Sequence, residues 1–215
     1  MSEHLIVCRG LSKAYGPKVA LSGVDLEVGR GRIVGLLGPN GSGKTTLIKL
    51  LCGLLQPTTG TLEINGQHIG PATKAQVSYL PDRMYFADWM KATDLFDLFR
   101  DFYQDFDYDK ALAMCRSLGV EPKDRLKHHQ ISCVDPAARD FILHTILTNY
   151  NEDGTVLIST HLIADIEKVL DEVIFLKSGR IMLHSTVDDI RERQGKSVDA
   201  LFREIFKAQP LEGGL

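Results

Sequence analysis

A glycine-rich stretch at residues 38–45 matches the phosphate-binding pattern G-x-x-x-x-G-K-[ST] at every fixed position. The segment 32–37 before it predicts a buried strand, and residues 46–52 after it predict a helix. In that context the glycines let backbone N–H groups converge on phosphate oxygens, and the start of the helix favours an anion. We expect the Lys44 ammonium group to reach the β- and γ-phosphates and the Thr45 hydroxyl to ligate Mg²⁺. The motif therefore predicts a nucleoside triphosphate site made of Gly38, Pro39, Asn40, Gly41, Ser42, Gly43, Lys44, Thr45 and Thr46.

The composition limits the classes of protein to consider. The 215 residues suffice for one large domain, or for one domain with an inserted lobe. A net charge of −3 gives no general attraction to nucleic acid or to anionic lipid. No apolar run approaches the length of a membrane span, so we expect that the protein does not cross a bilayer by itself. The first residues lack a basic leader and a cleavage site, so we expect a protein that is not secreted. The four scattered cysteines are expected to be reduced thiols of a cytosolic protein: Cys8, Cys52, Cys115 and Cys133.

Short strands are predicted in the first 80 residues, and a helical lobe after them. The strands are predicted at 5–8, 24–28, 61–64 and 76–80, with a hairpin turn at Asn65-Gly66. Between residues 93 and 120 the pattern becomes helical, because apolar side chains recur at steps of three and four. We interpret this stripe as the core of a small helical lobe, part of which can serve as a docking surface. Its members are Leu95, Leu98, Phe99, Phe102 and Phe106.

The last third of the chain alternates strands with helices. Asp135-Pro136 predicts the start of a helix that runs to about Tyr150, because the carboxylate caps the helix and the proline ring fits its first turn. Strands alternating with helices predict a mainly parallel α/β sheet, with the early antiparallel strands attached to it. The predicted strands are 155–159, 173–176 and 180–184, and the predicted helices are 162–170 and a last helix with the stripe Val198, Leu201, Phe202, Ile205 and Phe206.

Together these segments resemble the ATP-binding subunit of an ABC transporter over nearly the whole chain. The resemblance implies one ABC-type ATP-binding domain across residues 1–215. It implies a P-loop NTPase core with a mainly parallel sheet, an N-terminal antiparallel part and a helical lobe at about 91–125. In this family an aromatic residue near the N-terminus stacks on adenine, and Tyr15 in Ser-Lys-Ala-Tyr-Gly matches that place. Plain packing of Tyr15 near a strand edge is the alternative interpretation.

Residues 156–161 resemble the family's switch segment, in which a strand ends at a histidine that touches the γ-phosphate. The resemblance makes His161 a catalytic candidate together with Lys44. A neutral imidazole can donate a hydrogen bond to a phosphate oxygen or orient the attacking water. Asp135 resembles the aspartate that crosses the dimer interface, although helix capping is a sufficient structural role for it.

Asp82 stands where the family usually carries a glutamine that senses Mg²⁺ and the attacking water. A carboxylate can ligate Mg²⁺ directly, so Asp82 joins Thr45 as a metal-ligand candidate. An ordinary solvated loop residue is the alternative. The aromatic stretch 85–90 follows, in the region that faces the membrane subunit in this family. Burial within the helical lobe is an equally good interpretation of that stretch.

Two family elements are absent before Asp135. They are an L-S-G-G-Q-type signature that opens a helix and a buried strand that ends in Asp-Glu, where the glutamate polarises water. Residues 126–134 are only nine, whereas a crossover helix takes about ten or more residues and a strand about five. His128 and His129 fall at the Asp-Glu position, but imidazole is a poor Mg²⁺ ligand, and we interpret them as an exposed junction. The sequence therefore predicts either a chain with an internal deletion at about 126–134, which would leave unpaired backbone groups beside the phosphate-loop strand, or a sequence from which a segment has been omitted.

The resemblance implies an ATPase that binds ATP and Mg²⁺ and couples ATP binding and hydrolysis to transport, which we expect to be export. Its expected partners are an integral membrane permease and a second ATP-binding subunit, either a copy of this chain or a different one, and no nucleic acid. The expected location is cytoplasmic, on the inner face of the cell membrane through the permease. Hydrolysis by this chain is expected to be very slow. A nucleotide-binding regulatory module without chemistry and a defective, poorly folding product are the alternatives.

Overall fold

The computed structural model describes residues 4–81, 86–87, 89–117, 119–125, 154–160 and 163–207. The chain divides into two compact units. The first unit contains residues 1–79 and 150–215, and the second contains residues 80–149. The phosphate-loop motif and Tyr15 both belong to the first unit.

The strands of the first unit form two four-stranded sheets. In chain order they are β1 (His4–Tyr15), β2 (Lys18–Gly29), β3 (Ile33–Leu37), β4 (Thr59–Ile64), β5 (Gln67–His68), β6 (Val156–Ser159), β7 (Glu172–Lys177) and β8 (Arg180–Thr186). One sheet is antiparallel with the order β2-β1-β4-β5, and the other has the order β6-β3-β7-β8. The expected combination of an N-terminal antiparallel part with a mainly parallel sheet is confirmed.

The predicted hairpin turn joins β4 to β5. Asn65 has φ of 55° and Gly66 has φ of 72°, and both values lie in the left-handed region. Two consecutive residues with positive φ form the tight turn that matches the twist of antiparallel strands. The strands predicted at 5–8, 24–28 and 61–64 lie within β1, β2 and β4.

The phosphate-loop strand β3 is paired on both sides. It is parallel to β6 on one side and to β7 on the other, and the Val156 N–H donates to the Arg32 carbonyl at 2.9 Å. The expectation of unpaired backbone groups beside β3 is therefore wrong. The physical reason is that β6, the strand predicted at 155–159, itself occupies the position next to β3.

The free edge of this sheet lies instead at β6, within the described part of the chain. All four β6 residues are only half-buried, whereas most of β3 and β7 is buried. Because the Val156 amide points toward β3, the backbone groups of Leu157 and Ser159 point away from it. An additional strand would pair at this outer edge.

One apolar core joins both sheets to α1 (Lys44–Leu51), the helix that follows the phosphate loop. Leu47 and Leu50 on its inner face are fully buried against side chains of β1, β2, β3 and β7. The helix and the sheets therefore bury a shared apolar surface, and this packing fixes the position of α1 against the sheets. The fully buried members of this core include Cys8, Leu11, Leu21, Val28, Val34, Leu36 and Ile174.

The opposite face of the parallel sheet is covered by the C-terminal helix. The remaining helices of this unit are α2 (Pro71–Lys74), α5 (Ile163–Ile166), α6 (Val187–Gln194) and α7 (Val198–Lys207). Phe202 and Phe206 of α7 contact the Phe175 ring, with centroid distances of 5.6 Å and 5.9 Å. The predicted apolar stripe of the last helix is confirmed. The helix predicted at 162–170 instead ends as a 3₁₀ turn at Glu167–Val169.

The strand predicted at 76–80 is wrong. Residues 77–80 have no regular structure, and 72% of Leu80 is exposed. The amides of Gln76 and Val77 complete the turn after α2, donating to the carbonyls of Thr73 and Lys74 at 3.0 Å and 3.3 Å. Those amides are consequently not available to begin a strand ladder.

Two helices lie among the described residues of the second unit, α3 (Ala92–Phe102) and α4 (Tyr108–Ser117). The helical pattern at 93–120 is thus interrupted, because Tyr103 is extended with φ of −123°. Phe106 returns after this break to contact Phe96 and Phe99. The predicted stripe is only partly a core, since Leu95 is buried while 76% of Phe102 is exposed.

The helix predicted from Asp135 to Tyr150 and the nine residues 126–134 lie outside the described residues. None of the helices in the described ranges combines the length and the apolar character that crossing a membrane requires.

We predict that the Cys8 thiol makes the stability of the fold sensitive to alkaline pH. Burial, with a smaller contribution from the Asp25 carboxylate, raises the pKa of Cys8 from its ordinary value of 9.0 to about 12. The thiol in the unfolded chain ionises first, so stability falls as pH rises from about 9 to about 12, by at most about 1.4 kcal/mol per pH unit. Urea unfolding across this range should give a shallower pH dependence for Cys8→Ala than for the unmodified chain.

Cys115→Ala is the control, because that thiol is only half-buried in the second unit. Equal slopes for Cys8→Ala and the unmodified chain would contradict the prediction.

Candidate functional site

The phosphate loop connects the carboxyl end of β3 to α1, as the motif predicts. Gly41 has φ of 77° and Gly43 has φ of 110°, conformations that side chains with a Cβ rarely adopt. A Cβ on Gly43 would lie 2.6 Å from the Ala20 carbonyl oxygen, and one on Gly38 would lie 2.2 Å from that of Leu176. Glycine is therefore required at 38 and 43 for space, and at 41 for its backbone conformation.

Backbone hydrogen bonds tie the loop to two other segments. The Gly179 N–H donates to the Ser42 carbonyl at 2.9 Å, and the Ser22 N–H donates to the Gly179 carbonyl at 2.9 Å. Gly179 lies in the Ser178-Gly179 turn between β7 and β8, where φ is 48° at Ser178 and 76° at Gly179. The loop is thus held between β2 and this turn.

The side chain of Lys44 lies against the phosphate loop. Its ammonium group donates to the carbonyls of Gly38 at 2.7 Å and Pro39 at 3.0 Å, and only 8% of the residue is exposed. Lys44 also begins α1, whose first-turn amides have no acceptors within the helix. No acidic residue lies in this turn. A cation and a set of backbone donors therefore converge on one place, which suits a phosphate group.

Thr45 and Thr46 occupy the start of the helix beside the loop, and Thr45 is exposed. A threonine hydroxyl at this position fits Mg²⁺, which usually takes one or two protein ligands together with phosphate oxygens and water. In the described ranges, no cluster of three or more His, Cys, Asp or Glu side chains is arranged to hold a metal ion. The donor set thus fits a cation that arrives with a phosphate ligand rather than a cation held by protein alone.

Tyr15 lies at the end of β1, and 46% of it is exposed. It pairs with Lys18 at the start of β2. Two residues further along β2, about 7 Å, the Ala20 carbonyl lies against Gly43 of the phosphate loop. The structure therefore brings the Tyr15 ring and the phosphate loop to the same end of β2. The solvent exposure of Tyr15 disfavours the interpretation that this side chain only packs against its neighbours.

Three of the candidate residues, Asp82, Asp135 and His161, lie outside the described residues. The strand before His161 is described, and Ser159 of β6 is in register with Leu36 of β3, which is parallel to it. The carboxyl ends of both strands therefore lie at the edge of the sheet where the phosphate loop begins.

Sequence reasoning did not identify Ala20, Ser22 and Gly179 as neighbours of the loop. The residue types Ser178-Gly179 are typical of a turn. They do not predict that this turn contacts the phosphate loop, because a turn pattern contains no information on long-range contacts. The Ser42 hydroxyl was also not singled out. It is buried and has no hydrogen-bond partner.

A second concave region lies at the other end of β3, away from the loop. It is an open cleft of about 520 Å³, and several of its charged side chains pair with each other. His184 lies 2.8 Å and Arg32 lies 3.6 Å from the Glu172 carboxylate. These mutual pairs leave no convergent set of donors comparable to the phosphate loop.

Comparison with known proteins agrees with this geometry. A family model described as ABC transporter matches residues 21–194. The daunorubicin resistance ATP-binding protein DrrA3 of Streptomyces coeruleorubidus is 26% identical, over 95% of this chain and 75% of that protein. A solved ATP-binding subunit of an ABC transporter is 27% identical with a TM-score of 0.76, and the match covers 94% of this chain and 99% of that one.

A dimeric ATP-binding cassette, solved in a post-hydrolysis state with ADP and Pi bound, shares the fold with a TM-score of 0.70. It is 17% identical, over 84% of this chain and 98% of that chain. Because the family model spans most of the sequence, this chain belongs to the ABC transporter family. The predictions of a P-loop NTPase fold, of an ATP-binding subunit and of the ATPase class are confirmed.

The match to DrrA3 extends over 238 aligned positions, although this chain has 215 residues. At least 23 aligned positions, the difference between these lengths, therefore face a gap in this chain. DrrA3 thus carries additional residues within the aligned region.

We predict that Gly43→Ala disrupts the phosphate loop more than Gly41→Ala does. Both positions have positive φ, so each alanine strains the backbone by about 1–2 kcal/mol. Only at Gly43 would the Cβ also collide with backbone, since a Cβ on Gly41 meets nothing within 4 Å. Urea unfolding should show the larger loss for Gly43→Ala, and titration calorimetry with tripolyphosphate and Mg²⁺ should detect binding only by Gly41→Ala. Equal losses for the two variants would show that the approach to Ala20 is not a constraint.

Proposed function

We propose that this ATP-binding subunit holds MgATP in the cradle formed by residues 38–46, with the adenine base on Tyr15. The observation that carries the proposal is the convergence of the Lys44 ammonium group with first-turn amides of α1 at a loop where glycine is sterically required. A triphosphate offers oxygen atoms to all of these donors at once.

Binding of the triphosphate would redirect Lys44. Its ammonium group would leave the carbonyls of Gly38 and Pro39 and turn toward the β- and γ-phosphates. Thr45 would hold Mg²⁺ through its hydroxyl, and Asp82 is the second candidate ligand. The bound Mg²⁺ would neutralise charge on the phosphate oxygens.

His161 is the proposed contact to the γ-phosphate. Support comes from β6, because Ser159 is level with Leu36 and the phosphate loop begins two residues after Leu36. The described end of β6 therefore lies at the edge of the sheet where the phosphate loop begins, and His161 is the second residue after Ser159 in the sequence. An imidazole there can donate to a phosphate oxygen or orient water.

We further propose that residues 126–134 mark an internal deletion relative to the family. Support comes from the alignment with DrrA3, in which at least 23 positions, the excess of 238 over 215, face a gap in this chain. The half-buried outer edge of β6 supports it as well, because among the described residues β6 has no strand on that side, as expected where a strand has been lost. The single domain proposed for residues 1–215, with its helical lobe at about 91–125, would then lack its signature and its water-polarising glutamate.

The proposed physiological setting is a complex on the cytoplasmic face of the cell membrane. A permease would carry the substrate, and a second ATP-binding subunit would close over the nucleotide held by this chain. Export is the proposed direction, since DrrA3 is named for drug resistance. An intact partner subunit is favoured over a second copy of this chain, because two copies would both lack the signature.

We predict that ATP with Mg²⁺ raises the melting temperature of the protein and that Lys44→Ala abolishes most of this increase. A ligand at 100 times its dissociation constant stabilises the folded state by about 2.7 kcal/mol, which differential scanning fluorimetry resolves. Lys49→Ala is the matched control, because it removes the same charge from the last turn of the same helix. A shift that survives Lys44→Ala, or that Lys49→Ala removes equally, would place the nucleotide elsewhere.

We predict that the purified chain alone turns over ATP far more slowly than the 1–10³ s⁻¹ typical of enzymes, on the order of a background rate. The reason is that residues 126–134 contain no carboxylate to polarise the attacking water. Phosphate release is the measurement, and Lys44→Ala measures contaminating activity. The intact mass of the same preparation must also be measured, so that the rate of ATP turnover can be assigned to a protein of this sequence. Turnover within the typical range would contradict the proposed deletion.

A further inference from the structure

Lys13 places a positive charge next to the Tyr15 ring. Its ammonium nitrogen lies 5.3 Å from the ring centroid, within the range of a cation–π contact. Lys13 lies two residues before Tyr15 in β1, next to a shift in the β1–β2 register, and its side chain reaches the Tyr15 ring. Tyr15 remains accessible to solvent beside this contact, because 46% of the residue is exposed.

The ammonium group is held in place by a segment that follows the phosphate-loop helix. It donates to the Gln56 carbonyl at 2.8 Å. The neighbouring Thr58 is bonded in both directions, because its hydroxyl accepts from the Ala14 N–H at 3.0 Å and its N–H donates to the Ser12 carbonyl at 2.8 Å. The end of β1 and the segment after α1 thus form one hydrogen-bonded unit around Lys13.

We propose that Lys13 is a positioning residue for the nucleotide base. The cation holds one face of the Tyr15 ring and leaves the opposite face as the surface on which a purine stacks. This inference rests on the proposed role of Tyr15 in nucleotide binding and adds the residue that orients it.

The physical basis is preorganisation. An exposed ring on a strand end rotates freely, and a ligand must then restrict it on binding. A cation over one face restricts the ring beforehand and prevents a base from stacking on that face. Since Gln56 follows the helix that begins at Lys44, the same backbone that builds the phosphate cradle also sets the position of this cation.

The test compares ATP with tripolyphosphate in Mg²⁺ buffer by titration calorimetry. Lys13→Met keeps the length of the side chain and removes its charge, whereas Lys13→Arg keeps the charge. Loss of the cation–π contact should weaken ATP binding about two- to fivefold in Lys13→Met. Tripolyphosphate, which has no base, should bind unchanged, and Lys13→Arg should restore the affinity for ATP. Lys18→Met is the matched control, since it removes one exposed positive charge from the strand residue opposite Tyr15.

A double variant then separates positioning from a general structural effect. If Lys13 acts through the ring, Lys13→Met should have no further effect on ATP affinity in a Tyr15→Ala background. The proposal is overturned if Lys13→Met weakens tripolyphosphate as much as ATP, if it strengthens ATP binding, or if the losses at positions 13 and 15 are additive. Failure of the unmodified chain to bind tripolyphosphate would instead count against the phosphate site.

Discussion

Three backbone segments meet around the phosphate loop, and this approach is the constraint on which the site depends. Cβ atoms on Gly43 and Gly179 would lie 2.6 Å and 2.7 Å from the Ala20 carbonyl oxygen, so no side chain fits between these segments. The hydrogen bonds from Gly179 to Ser42 and from Ser22 to Gly179 fix the same three segments. Because β2 belongs to the antiparallel sheet while the loop and the turn belong to the parallel one, the contact also joins the two sheets. The spacing between Tyr15, the proposed stacking surface, and the phosphate loop is consequently set by the backbone.

The lysine of the loop is satisfied before any ligand arrives. Lys44 is almost fully buried, and a buried ammonium group without partners would be strongly destabilising. Its two carbonyl acceptors remove that penalty and keep the loop closed on itself. In the proposed complex, phosphate binding would exchange hydrogen bonds at Lys44, and the net gain would come from opposite charge and from the amides of α1.

The phosphate loop was predictable from sequence because its requirements are local. The positive φ at Gly41, the strand before it and the helix after it are all encoded within about fifteen residues. The strand predicted at 76–80 failed for the complementary reason. Its residue types alternate as in a strand, but a strand also requires a hydrogen-bonding partner. The amides of Gln76 and Val77 are already bonded within the turn after α2. The break at Tyr103 was hidden in the same way, since a periodic apolar pattern continues across an extended residue.

The strand edge that is unpaired among the described residues bears on whether the proposed deletion would leave the proposed nucleotide site intact. Had the unpaired edge been at β3, the strand that leads into the loop would have lost half of its ladder, and the loop would have lost its support. Because β6 pairs with β3, the exposed edge is one strand removed from the phosphate site. Binding depends on β3 and α1, whereas polarisation of water depends on a carboxylate that a strand beyond β6 would have to supply. The proposed loss at this edge would therefore separate the two activities, because it would leave the phosphate cradle intact while removing the group that activates water.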